Sequence, residues 1–137
     1  MGWLRGESGK MKLELRHGIP FTEVILRNNG KEIASRNVVV DTGSASTIIS
    51  AEIAVQLDME SGLNDSLNRV RGVGGTEFVY EKVIGCIEIG GITLENFKLQ
   101  VGAMNYGFEI DALLGMDFLQ ACQLLVDCYK MEVRMAR

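Results

Sequence analysis

The sequence predicts an all-β protein, a small closed β-barrel carrying one or two short helices. Three observations carry this expectation. From Met11 onward, apolar residues recur mostly with period two, the spacing of a strand with one buried face. Turn signals built on glycine fall at short, regular intervals between those runs. Helix signals are confined to two brief stretches.

Taken in chain order, Leu13 and Leu15 alternate with charged neighbours, and Phe21 to Leu26 reads as a second strand. Asn29-Gly30 follows, the strongest short hairpin signal when it lies between apolar runs. The return strand ends in Val38-Val39-Val40, a β-branched triplet suited to a buried strand. Ser50 stands as an N-cap for a short helix through about Leu57, and residues 58–66 are polar and loop-like. Strand signals resume near Val70. Gly72-Val73-Gly74-Gly75 makes a turn, and Phe78 to Ile84 leaves it. Gly90-Gly91 separates Cys86–Ile89 from Ile92–Leu99 as another hairpin. Ala112-Leu113-Leu114 ends an apolar strand at Gly115, and Met116 to Ala121 makes one or two helical turns. Leu124 to Val126 and Met131 to Met135 are the last strands.

The chain has 137 residues, enough for one domain with a real core. We expect residues 1–10 to form a flexible arm and residues 11–137 a single domain. The net charge of -4 is spread along the whole length, which makes nucleic acid a poor partner. No apolar run approaches the ~18 residues that span a bilayer, and the N-terminus has no apolar stretch of signal-peptide length. The expectation is a cytoplasmic protein without a membrane segment. Cys86, Cys122, Cys128 and His17 have no metal-ligand spacing, and free thiols are the simpler reading. Gly6 to Lys10 fails as a phosphate loop, because Leu4 and Met11 occupy two of the required positions.

Chemistry concentrates in Asp41-Thr42-Gly43-Ser44. A buried strand delivers a carboxylate onto a tight loop, Gly43 permits close backbone approach, and the Ser44 hydroxyl stands within reach of the carboxylate. Alone, the tripeptide is a modest signal, arising by chance in roughly a few per cent of chains this long. Two further features share its order along the chain. Gly72 to Gly75 lies between strand-like segments, as the tip of a mobile hairpin would, and Leu113-Leu114-Gly115 follows further on.

Together these residues resemble the retropepsin-like aspartic proteases, the single-domain cellular type rather than the viral one, over roughly residues 11–135. The resemblance implies one lobe per chain and a two-fold homodimer acting on peptide or protein substrates as an aspartic-type endopeptidase. It implies that Asp41 is catalytic and that Thr42 holds the two catalytic loops together across the dimer, with Gly43 and Ser44 in support. It further implies that Gly72, Val73, Gly74 and Gly75 form a flap over substrate. Leu113 would then lie near a substrate pocket, Leu114 and Gly115 would form the supporting motif, and terminal strands would join the dimer interface. No metal or organic cofactor is implied. The chain departs from retroviral members at Ala45 and Met116, where an acidic residue and an arginine are common, so both halves of an ion pair are missing together.

Peptide hydrolysis by this chemistry needs two carboxylates sharing one proton. The chain holds a single Asp-Thr-Gly, and neither Asp111, Asp117 nor Asp127 is followed by Thr-Gly. The second carboxylate must come from another copy. The alternative is a catalytically silent dimeric peptide-binding module of the same fold, against which the retained Asp41 argues. A ligand-binding barrel is a third reading and would make all three motif matches accidents.

Overall fold

The computed structural model describes residues 9–62, 67–72, 75–104 and 106–136, with residues 67–72 and 75–78 described by their backbone alone. Its elements in chain order are β1 (Lys10–Lys12), β2 (Glu14–Arg16), β3 (Ile19–Asn28), β4 (Lys31–Val40), β5 (Ile48–Ser50) and α1 (Ala51–Gln56). There follow β6 (Leu67–Gly72), β7 (Gly75–Ile89), β8 (Ile92–Gly102), β9 (Ala112–Leu114), α2 (Met116–Ala121), β10 (Leu124–Asp127) and β11 (Glu132–Met135). Residues 1–8 of the expected arm lie outside the described residues. Lys10, assigned to that arm from sequence, opens β1 instead.

Strands β3, β4, β9, β5, β8 and β7 are hydrogen-bonded in that order, and β7 returns to β3 through Ile25↔Glu88, Leu26↔Ile87 and Arg27↔Cys86. Six strands thus close into a barrel, which removes the open edges of a flat sheet. β2 pairs with the start of β3, and β6 extends the sheet from β7. A second sheet, ordered β1-β11-β10, joins the two ends of the chain.

Local sequence explains most of these elements. Asn29 and Gly30 both take left-handed backbone, φ 53° and 75°, which is the twist a two-residue hairpin needs. Ser50 caps α1, its hydroxyl accepting from the Ile53 N–H at 3.2 Å. Inside the barrel, Val24, Leu26, Val38, Val40, Ile49 and Phe118 are almost wholly buried. Each such side chain contributes about 1.5–3 kcal/mol of burial free energy.

Two expectations are corrected here. Met11 and Leu13 are buried but Leu15 is 59% exposed, because the chain leaves the small sheet at Leu13 and re-enters the large one as β2. Phe78–Ile84 and Cys86–Ile89, separate runs in the sequence, belong to one 15-residue strand, β7.

Candidate active site

β4 delivers Asp41 beside β9. Their last parallel register pair is Val40↔Leu114, and the Asp41 N–H then donates to the Leu114 carbonyl at 2.9 Å. Beyond that point the chain turns tightly. The Gly43 N–H donates to Asp41 Oδ1 at 2.9 Å, and the Ser44 N–H donates to the Asp41 carbonyl at 3.2 Å. This Asx-type turn fixes one carboxylate oxygen by a backbone donor. Asp41 is half-buried, and among the described residues its second oxygen has no partner.

Thr42 and Gly43 are exposed at the tip of the turn. Thr42 also borders an apolar groove whose floor includes Met116, Leu119, Leu124, Val126 and Ala136. Ser44 departs from expectation. Its hydroxyl donates to the Ser46 carbonyl at 2.8 Å, so its single proton is committed away from the Asp41 carboxylate. The loop folds back over this buried side chain, and the donor that reaches Asp41 is Gly43.

The loop is tied to the end of β9 and the segment after it at three points. The first is the Asp41–Leu114 bond. The second runs from the Met116 N–H to the Ser44 carbonyl at 2.8 Å. The third uses a side chain: Asp117 accepts the Thr47 hydroxyl on Oδ1 at 2.7 Å and the Thr47 N–H on Oδ2 at 3.1 Å. Thr47 Oγ1 in turn accepts from the Gly115 N–H at 3.0 Å. Sequence reasoning named Asp117 only as an unsuitable second carboxylate and gave Thr47 no role of its own. Nothing in the local pattern marks the two as a pair.

Leu114 joins the barrel core, whereas Leu113 points from the opposite face, as alternation along a strand requires. Its register partners are Val39 and Ile48. On Val39's side lies a second cluster of Phe21, Val39 and Ile110, with Ile19, Met104 and Phe108 against it. His17 stacks on Phe108 at 4.7 Å, and Arg16 lies 4.5 Å from the Phe21 ring centre. No sequence signal marks this aromatic wall, whose members come from β2, the turn after it, β3 and the segment before β9.

The described part of the β6–β7 hairpin ends at the pair Gly72↔Gly75, and Val73 and Gly74 lie outside the described residues. Gly75 to Val79 pairs only with β6, since the β7–β8 ladder starts at Tyr80↔Val101. The hairpin therefore projects beyond the barrel. The remaining aspartates named from sequence are engaged elsewhere. Asp111 accepts from the Ser35 hydroxyl at 2.6 Å, while Asp127 accepts from the Tyr129 and Lys130 N–H groups and from Arg134. Those donors, the Lys130 amide first, hold the Asp127 carboxyl below the usual range.

Among the described residues no three His, Cys, Asp or Glu side chains converge as metal ligands, and no helix is long and apolar enough to cross a membrane. Cys86, Cys122 and Cys128 are free thiols, and burial pushes Cys122 up to about 11.

Comparison with known proteins bears on the family and the fold. The family profile described as "gag-polyprotein putative aspartyl protease" matches residues 26–121, more than two thirds of the chain. A solved structure, the retropepsin-like aspartic protease from Rickettsia conorii, superposes with a TM-score of 0.64 at 23% identity, covering 97% of this chain and 93% of that one. At that identity the likeness shows the fold, which is retropepsin-like. No curated protein matches significantly.

Proposed function

This chain belongs to the gag-polyprotein aspartyl protease family, and from that premise we propose that it is an endopeptidase whose active site forms between two copies. The observation that carries the proposal is the state of Asp41. One oxygen is fixed by the Gly43 N–H, the other is unpartnered among the described residues, and the side chain stands half-exposed at a turn tip. A carboxylate poised this way is complete only when a second one faces it. Asp111, Asp117 and Asp127 are each held in their own hydrogen-bond networks, so none of these three stands ready as a second member.

A two-fold axis beside Asp41 sets the residue against its own copy. Two carboxylates about 3 Å apart cannot both ionise, so they share one proton. The ionised member takes a proton from water, the water oxygen attacks the peptide carbonyl, and the protonated member donates to the developing oxyanion. Collapse of that intermediate breaks the C–N bond and passes a proton to the leaving amine. Thr42, exposed next to Asp41, lies on the same axis in this arrangement, and the apolar groove beside it becomes subunit contact. The projecting β6–β7 hairpin serves as the flap, Gly72 to Gly75 at its tip, excluding water and bonding an extended substrate backbone. Leu113 and the aromatic wall around Phe108 line the side-chain pockets.

The test replaces Asp41 with Asn, which keeps the shape and removes both base and shared acid. Cleavage of a general peptide library should fall at least a thousandfold in Asp41→Asn while circular dichroism and dimer content stay as in wild type. Activity within tenfold of wild type in a folded variant ends the assignment.

A further inference from the structure

The three ties from the catalytic loop to the end of β9 and the segment after it differ in kind. Those at Asp41 and Ser44 are backbone to backbone and form with almost any sequence. The tie at Thr47 depends on side chains. Asp117 uses both carboxylate oxygens on one residue, and the same Thr47 oxygen reaches back to the Gly115 N–H. Thr47 is fully buried, so no water substitutes there without a rearrangement.

We propose that Asp117 is a positioning residue for Asp41, clamping the far end of the catalytic loop through Thr47. It acts on geometry. With Leu114 holding the start of the loop and Asp117 its end, the seven residues from Asp41 to Thr47 have one conformation. Asp41 then meets its copy at a defined separation. Displacement of a reacting group by an ångström costs on the order of a hundredfold in rate, so loss of the clamp is read in turnover rather than in binding.

The inference rests on the protease reading above, and the variants separate the two. At a temperature well below every melting point, Asp117→Ala and Thr47→Val should lower kcat at least tenfold with KM changed less than threefold. Thr47→Ser, which keeps the hydroxyl, should stay within threefold of wild type. Asp117→Asn should fall between, because its amide nitrogen opposes the Thr47 N–H. A folded Asp117→Ala with wild-type kcat, or a Thr47→Ser as impaired as Thr47→Val, overturns the clamp. Absence of any Asp41-dependent cleavage in wild type would defeat the protease reading instead. The clamp is then read by amide exchange. Asp117→Ala should speed exchange at Ser44, Gly115 and Met116 at least tenfold while Val40 and Ile49 are unchanged, and an unaltered loop overturns it. If Asp117→Ala fails to fold, the Asp117→Asn and Thr47→Val pair gives the same readouts.

Discussion

Gly115 sits where the catalytic loop leaves no space for a side chain. A Cβ there would lie 2.5 Å from the Ser46 carbonyl oxygen and 2.9 Å from that of Ser44, both on backbone that cannot rotate away. The loop would have to lift, and the Met116–Ser44 bond and the Gly115–Thr47 bond would stretch with it. We therefore expect Gly115→Ala to cost about 1–3 kcal/mol in urea denaturation and to reduce cleavage at least tenfold. Wild-type stability and rate together would show that the loop yields more easily than its contacts imply. This glycine was legible as part of Leu113-Leu114-Gly115, since glycine marks close backbone approach. The hydroxyl of Ser44 was not legible: its partner depends on which way the loop curls, a choice made by packing of the buried side chain. Thr47 and Asp117 were hidden for a related reason, because seventy residues separate them in sequence.

At the scale of elements, the hairpins were readable and the parallel pairings were not. Asn29-Gly30 and Gly90-Gly91 each announce a turn with their own residues. The register β4–β9 and β5–β8, by contrast, joins segments that carry no mutual signal, and β5 is only three residues long. The small β1-β11-β10 sheet gives a prediction of its own. Asp127 ends β10 and bonds Arg134 of β11 at 2.6 Å as well as the Tyr129 and Lys130 amides. Its folded-state pKa is depressed, so its contribution is fully present above the ordinary aspartate value of about 3.9 and is lost as pH falls through the lower folded value. Amide protection across β10 and β11 should hold constant from about pH 8 to 5 and weaken only below about pH 4. Asp127→Asn should remove that acid dependence. Protection that declines between pH 8 and 5 would assign the titration to another group.

At the scale of the whole molecule, the shared site proposed above would join two closed barrels, each with a core of its own. The barrel and the small sheet bury a continuous core, and the only Asp-Thr-Gly stands at its surface beside an apolar groove. If each site uses Asp41 from both subunits, a mixed dimer of wild type and Asp41→Asn has one carboxylate and no activity. Under random pairing the active dimers fall as the square of the wild-type share, so activity per wild-type chain falls in direct proportion to that share. With nine parts of mutant to one of wild type it should drop to about one tenth. Dilution of wild type below its dimer dissociation constant should lower specific activity as well, because mass action removes the assembled site. The measurement mixes the two proteins at fixed total concentration, follows subunit exchange to completion by mass-labelled chains, and then reads cleavage per wild-type chain. A site built within one chain would give the same value at every ratio, and that constancy after complete exchange would refute the shared site while leaving the barrel itself untouched.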